Sequence, residues 1–524
     1  GQYWNDGMFP PEELASFRPD VIYVHTSFRN LTPFLPSPSM TPEECVSKCD
    51  EAYRHFSVLW EKLAEDYHCP VIQNNFEYPG YRLMGNRDGW DRRGVLRFVR
   101  ELNERFAEYA EHAKSFYLND IDYVSSCYGL DRWLDDSVWY LYKYACALDA
   151  IPYWSFNLAR IIKSLFGKNK KALALDLDNT LWGGVVGDDG VDGIELGSET
   201  ATGECFLAFQ NYLKSLKGIG IMLTVDSKND LENALAGLRH PDSVLTPEEF
   251  IVIKASWETK DRNLAETASR MDLGVDSFVF ADDNPTERAL VRASLPGVAV
   301  PDMDSPYDYI RVLDWNGYFE TTAFSEDDVK RNEMYKANAE RAVLQESFTD
   351  YTEYLRSLDM DADILPFPEL YIPRITQLTN KSNQFNLTTK RYTEDEIRAA
   401  AADPDRICLY GKLRDRFGDN GVVSVVIGSV RGDELHMDLW LMSCRVLKKD
   451  MEFAMLDTLV KTAREKGVKS IFGYYYPTAK NGMVKDLYRT FGFEKRSESA
   501  DGSTVWELRT DGYENRNRVI RVNA

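Results

Sequence analysis

The chain has 524 residues, 44% hydrophobic and 28% charged, with 84 acidic against 62 basic side chains and a net charge of −22. That length predicts several domains with ample cores, and that charge opposes binding to a nucleic-acid backbone. No run of about 18 apolar residues is present, and Gly1-Gln2-Tyr3-Trp4 lacks the basic and apolar regions of a signal peptide, so no nucleic acid, no membrane and a cytoplasmic location are expected.

Residues 1–165 alternate strand and helix: a strand at Val21–Val24, a helix at Glu43–Tyr67, a strand at Pro70–Ile72, a helix at Gly94–Lys114 and a strand at Phe116–Leu118. The alternation predicts a doubly wound, flavodoxin-like parallel α/β sheet. Cys45 and Cys49 have metal-like spacing, but no second pair follows them. They are expected to be structural and reduced rather than zinc ligands. A second α/β domain, residues 166–320, is predicted from strands at Ala172–Leu175, Ile219–Val225, Phe250–Lys254 and Ser277–Phe280. Residues 321–360 read as a charged helical connector on the surface, one long helix from Ser325 to Leu358. An α+β domain at 361–510 follows. Its strands Gly421–Gly428 and Leu435–Leu441 turn at Arg431-Gly432-Asp433, and helices are expected at Met451–Lys466 and Met483–Thr490 around a strand at Ser470–Tyr475. Residues 511–524 are read as a tail.

The chemistry concentrates in the second domain. Asp176 and Asp178 leave the end of the Ala172–Leu175 strand, where open parallel sheets bind ligands. Two carboxylates at i and i+2 suit attack on phosphorus by Asp176 and general acid/base work by Asp178. Ser227, after another strand, offers a hydroxyl and an N–H to a phosphate oxygen, and Lys260 supplies a cation for the phosphoryl charge. Asp282 and Asp283 close a third strand and add hard oxygen ligands, so Asp176, Asp178, Asp282 and Asp283 are the expected Mg2+ ligands. Thr180 and Asn229, inside the same motifs, are expected to touch substrate. Asp176 and Ser227 are 51 positions apart and Ser227 and Lys260 only 33, which leaves no room for a large lid and predicts an open site.

Asp176–Thr180 with Trp182-Gly183-Gly184, Ser227-Lys228-Asn229-Asp230, Trp257-Glu258-Thr259-Lys260, Asp282-Asp283-Asn284-Pro285 and the stretch Gln377–Tyr392 resemble the FkbH-like family of the haloacid-dehalogenase superfamily. The resemblance implies three α/β domains: an SGNH-hydrolase-like domain, a haloacid-dehalogenase-like Rossmannoid core without a large cap, and a GNAT-like α+β domain. It also implies Mg2+-dependent use of a small acyl phosphate, 1,3-bisphosphoglycerate, with the glyceryl unit loaded on an acyl carrier protein. A Mg2+-dependent phosphatase of a small phosphorylated metabolite, with scaffold outer domains, is the alternative. Within Gln377–Tyr392, Lys381, Asn383 and Asn386 suit a grip on a carboxyl or phosphate, or belong to a hydrogen-bonded interdomain segment.

The chain also departs from its resemblances. Asn74-Asn75 is similar to the SGNH Asn block, but no nucleophile block precedes it and no His base follows Asp135, so the first domain is expected to be a non-catalytic scaffold. His25, His55, His68 and His112 are expected to be ordinary polar residues rather than ligands. In the GNAT-like domain, Asn481, Tyr488 and Gly492-Phe493 resemble the late catalytic helix. The pyrophosphate loop reads Arg445-Val446-Leu447-Lys448-Lys449-Asp450, with Lys448 and Asp450 where glycines are needed, so coenzyme A binding is not expected. Asp226 stands where glyceryl-transferring relatives carry Cys, which leaves Cys205 and Cys444 as the candidate thiols. Lys390, Arg391, Lys448 and Lys449 are the expected basic patch for an acidic carrier protein.

Overall fold

The computed structural model describes the chain except residues 1–2, 323, 325–330, 382–384, 444–445, 448, 479–480 and 524, and except the side chains at 15, 331, 342, 343, 346 and 381. Two compact units result, Gly1–Asn169 with Leu313–Phe324, and Lys170–Val312 with Ser325–Ala524. Among the described residues no helix is long and apolar enough to cross a membrane.

In the first unit, β1 (Ile22–Val24), β2 (Val71–Asn74) and β3 (Phe116–Asn119) form a parallel sheet in that order. Helix α1 (Pro42–Tyr67) opens on a Thr41/Glu44 capping box with Pro42 in its first turn, the sequence signature of a helix start. Its buried face carries Cys45, Cys49, Phe56, Leu59, Trp60 and Leu63. Both cysteines are therefore core residues, and neither belongs to a metal-capable cluster among the described residues. Helix α2 (Val95–His112) buries Phe98, Val99, Leu102 and Phe106 in the same core. Asn74 accepts from the Thr26 N–H at 3.0 Å and donates to the Thr26 carbonyl, while Asn75 Oδ1 accepts from the N–H groups of Ile121 and Asp122. The two amides latch the loops leaving β1 and β3.

The second unit holds two sheets. Strands β4 (Ala172–Leu175), β5 (Met222–Ser227), β6 (Val252–Ala255) and β7 (Phe278–Ala281) lie parallel in the order β6-β5-β4-β7. Their connections include α3 (Ala201–Gly218), α4 (Leu231–Leu238), α5 (Lys260–Arg270) and α6 (Pro285–Ser294). The expected single connector helix is two helices, α7 (Arg331–Glu346) and α8 (Tyr351–Ser357). Asp350 restarts the helix by accepting from the Thr352 and Glu353 N–H groups. Nor is the connector confined to the surface. Tyr335 packs into the core of the four-stranded sheet, and buried Arg341 pairs with fully buried Asp415 at 2.6 Å.

The C-terminal sheet contains β8 (Met360–Pro366), β9 (Phe385–Asn386), β10 (Arg406–Asp415), β11 (Gly418–Arg431), β12 (Glu434–Met442), β13 (Ser470–Tyr475), β14 (Glu494–Glu498), β15 (Thr504–Arg509) and β16 (Ile520–Asn523). Its order is β14-β15-β13-β12-β11-β10-β8-β16, with β9 attached to β12. The β11–β12 hairpin turns where the sequence predicts, with Gly432 at positive φ. Residues 511–524 are more than a tail, since β16 pairs in parallel with β8 and covers that edge of the sheet. Strands β12 and β13 pair only over Glu434–His436 and Ser470–Phe472. Beyond that, Phe385–Leu387 takes the β12 edge: Asn386 pairs with Leu441, the Leu387 N–H donates to the Trp440 carbonyl at 3.2 Å, and the Tyr476 N–H donates to the Leu387 carbonyl at 2.9 Å.

Candidate active site

Strand register assembles the site. Leu175 pairs with both Val225 and Ala281, so one residue further on Asp176, Asp226 and Asp282 come level at the carboxyl ends of β4, β5 and β7. Helix α5 begins at Lys260 and directs that side chain into the same place. Lys260 Nζ lies 2.9 Å from Asp176 Oδ1 and also donates to Asp282 Oδ2, with the lysine 1% exposed. Burial lowers the lysine pKa, but the two carboxylates outweigh it and hold the ammonium above its ordinary value.

One carboxylate oxygen from each of Asp176, Asp282 and Asp283 lies within 4.8 Å of the others. Oxygens around an octahedral Mg2+ stand about 3–4 Å apart, so this all-oxygen set fits a hard divalent ion. Burial, then the charge of Asp176, raises the pKa of Asp282 and of Asp283. Such carboxyls gain most from a cation. Asp178 was expected as a fourth ligand, but its carboxylate lies outside this cluster. It accepts from Trp182 Nε1 at 2.9 Å, the Val186 N–H at 3.0 Å and Asn229 Nδ2 at 3.0 Å. Burial raises its pKa against the two donors Val186 and Trp182, which suits a residue that must carry a proton.

Thr180 and Asn229 sit behind the reacting groups. Thr180 is fully buried, and its hydroxyl accepts from the Asp283 N–H at 3.3 Å. Asn229 presents its amide to Asp178. Ser227 ends β5, buried, with its carbonyl bound by the Ser256 N–H. Trp182 and the Val186 N–H are the partners that sequence reasoning left without a role. Trp182-Gly183-Gly184 directly after the acid pair was the available signal.

Asp226 is 1% exposed and accepts from Asn263 Nδ2 at 3.2 Å, and its Oδ2 has no hydrogen-bond partner. Burial pushes its pKa up to about 8. Cys205 donates to the Pro306 carbonyl at 3.0 Å, and Cys444 lies outside the described residues. Residues 178–200 and 228–259 form short loops, short helices, α4 and β6 with no inserted domain, so the site has no large cap.

The residues expected in the C-terminal domain do not join this cluster. Asn386 is fully buried in β9, its Oδ1 accepting from the Thr389 N–H at 2.8 Å and its carbonyl from Asn481 Nδ2 at 3.0 Å. Asn383 and the Lys381 side chain lie outside the described residues. Tyr488 is buried with its hydroxyl 3.5 Å from the Tyr474 carbonyl, and burial holds its pKa well above the usual phenol. Of the expected basic patch, Lys449 is buried against Asp415 at 3.6 Å and is not a surface group. Lys390 is exposed over the Tyr392 ring, Arg391 donates to the Thr379 carbonyl, and Lys448 lies outside the described residues.

The family profile described as FkbH, N-terminal domain, matches residues 7–163. The chain is similar to a solved structure of the N-terminal part of the protein BF1531 from Bacteroides fragilis, containing a phosphatase domain complexed with Mg. The two share 31% identity, over 62% of this chain and 85% of that one, with a TM-score of 0.57. It is also similar to the ribosomal-protein-S18-alanine N-acetyltransferase from Escherichia coli, at 13% identity over 30% of this chain and 99% of that one, TM-score 0.23. A PaiA N-acetyltransferase from Thermoplasma acidophilum in complex with coenzyme A gives 13% identity over 28% and 99%, TM-score 0.22. No curated protein sequence matches the chain.

Proposed function

We propose that this chain, which belongs to the FkbH family, is a Mg2+-dependent haloacid-dehalogenase-type enzyme that loads the acyl part of an acyl phosphate, 1,3-bisphosphoglycerate, onto the thiol of an acyl carrier protein. The observation that carries the phosphoryl chemistry is the convergence of Asp176, Lys260, Asp282 and Asp283. Asp176, Asp282 and Asp283 would hold Mg2+, which when bound offsets charge on the phosphoryl oxygens. Lys260 adds a second, fixed positive charge. Asp178, held by Trp182, Val186 and Asn229, exchanges a proton with the departing or attacking group.

The bond that breaks separates two outcomes. Attack of Asp176 on phosphorus cleaves P–O, forms an aspartyl phosphate and leaves the acyl group as an unactivated carboxylate; water then releases phosphate. Acyl loading requires the carrier thiol to attack the carbonyl carbon, so that C–S forms, C–O breaks and phosphate departs with its bridging oxygen, the thiol proton passing to Asp178 or to the phosphate. Asp226 cannot form the thioester that a cysteine there would, which supports direct delivery to the incoming thiol. The lack of an inserted cap supports a substrate brought on a macromolecule. The first unit, with its asparagines serving as latches, is assigned a scaffold role. The alternative, a phosphatase of a small metabolite, uses the P–O route alone.

The test incubates enzyme, 1,3-bisphosphoglycerate, Mg2+ and a holo carrier protein in 18O-labelled water. A glyceryl mass increment on the carrier with unlabelled phosphate supports loading. Phosphate carrying one solvent oxygen, with an unmodified carrier, establishes the phosphatase.

A further inference from the structure

At the mouth of the site one aromatic side chain is held in solvent. Trp257, three residues before Lys260 on the loop from β6 to α5, is 73% exposed. A lone exposed aromatic needs no explanation, but this one is clamped: its indole N–H donates to Asp230 Oδ1 at 3.0 Å. Asp230 is the N-cap of α4, and its side chain makes no cap hydrogen bond. An aspartate there normally stabilises its helix through that bond; here the carboxylate is turned to the indole instead.

The clamp is continuous with the catalytic groups. Asp230 follows Asn229, whose amide holds Asp178, and Asp178 in turn accepts from the N–H of Val186. Leu231 and Val185, adjacent to these anchors, are both exposed. The mouth therefore has an apolar rim of Trp257, Leu231 and Val185, carried by the residues that fix the general acid. The charge around this rim is largely acidic: Asp188, Asp189, Asp230 and Glu258 are exposed, Lys228 is committed to Glu287 at 2.6 Å and Arg262 reaches Glu258 at 3.4 Å. The two cations named here are already paired with carboxylates, and the indole face suits the planar groups of a neutral, flexible chain.

We propose that Trp257, oriented by Asp230, is the platform on which the amide-bearing arm of a pantetheine-type acceptor lies as its thiol enters the site. This rests on the carrier-loading reading above and adds the residue that receives the acceptor.

The test uses the full chain with Mg2+, labelled with 5-fluorotryptophan, and pantetheine itself as the probe. The Trp257→Phe variant identifies the Trp257 fluorine resonance. Titration should shift that resonance in the wild type, and Trp257→Ala, checked for folding by its thermal unfolding midpoint, should raise the dissociation constant about 30-fold, the scale of one aromatic anchor. A Trp257 resonance unmoved by pantetheine, or equal affinity in wild type and a folded Trp257→Ala variant, overturns the platform. If the alanine variant does not fold, the wild-type resonance alone decides. Formation of acyl-pantetheine from an acyl phosphate is measured separately: a shifted resonance without acyl transfer keeps the platform and removes the loading reading.

Discussion

Lys260→Met removes the only ammonium that contacts Asp176 and Asp282 among the described residues. At 2.9 Å and an effective dielectric of about 20, one such pair has a gross attraction of about 6 kcal/mol. Desolvation of the buried ions returns part of that, and breaking a buried pair typically costs about 3–5 kcal/mol, because the remaining charge is stranded. Burial already raises the carboxyls of Asp282 and its neighbour Asp283, so without the ammonium they take up protons and the deficit grows with pH. Mg2+ neutralises the same oxygens. The expected result in denaturant unfolding is a loss of about 3–5 kcal/mol in chelator near neutral pH, and a larger stabilisation by Mg2+ in the variant than in the wild type. A variant as stable as the wild type in chelator, or one that gains no more from Mg2+, refutes the electrostatic account of the cluster.

Three further outcomes follow from separate features. A Cβ at Gly237 would lie 2.7 and 2.8 Å from Trp182 ring carbons, so Gly237→Ala should lose about 1–3 kcal/mol by overpacking despite better helix propensity; by disturbing the Trp182 bond to Asp178 it should also lower kcat at least about tenfold, measured by phosphate release. Burial raises Glu77 to about 8, with Oε2 unpartnered. The folded state therefore holds a proton that the unfolded state releases between about pH 4.5 and 8, stability falls with rising pH across that window, and Glu77→Gln should flatten the fall by about 1–3 kcal/mol in unfolding of the first unit. Calorimetry of the full chain with acetyl-coenzyme A should show no binding heat, because β9 already occupies the β12 edge and Asp450 stands at the start of its helix; a micromolar dissociation constant, about −8 kcal/mol, contradicts this.

The convergence of Asp176, Lys260, Asp282 and Asp283 was legible in the sequence because each part is local: a short apolar strand ending in Asp, a helix opening on Lys. Parallel register then forces Asp176, Asp226 and Asp282 level, a consequence of pairing that spacing alone does not supply. The placements of Thr180 and Asn229 were not legible, since whether a polar side chain meets a backbone N–H, as Thr180 does, or a carboxylate, as Asn229 does, depends on tertiary structure. Lys449 misled for the same reason: a lysine in a polar run reads as surface, yet Asp415, distant in sequence, draws it inside. The connector helix was overextended because Ser347–Asp350 contains no Gly or Pro, and the stop comes from Asp350 capping the next helix. Strand β9 is two residues long and its ladder partner is the distant β12, so no local pattern announces it.

The central claim is that the phosphoryl chemistry of this site requires Asp176 together with Mg2+. Its most direct measurement is phosphate release from an aryl phosphate by wild type and Asp176→Asn, each with Mg2+ and with chelator, the folding of the variant being checked by its unfolding transition. The account predicts release by the wild type with Mg2+, and none above background in the other three conditions. Sustained release by folded Asp176→Asn, or by the wild type in chelator, would contradict it.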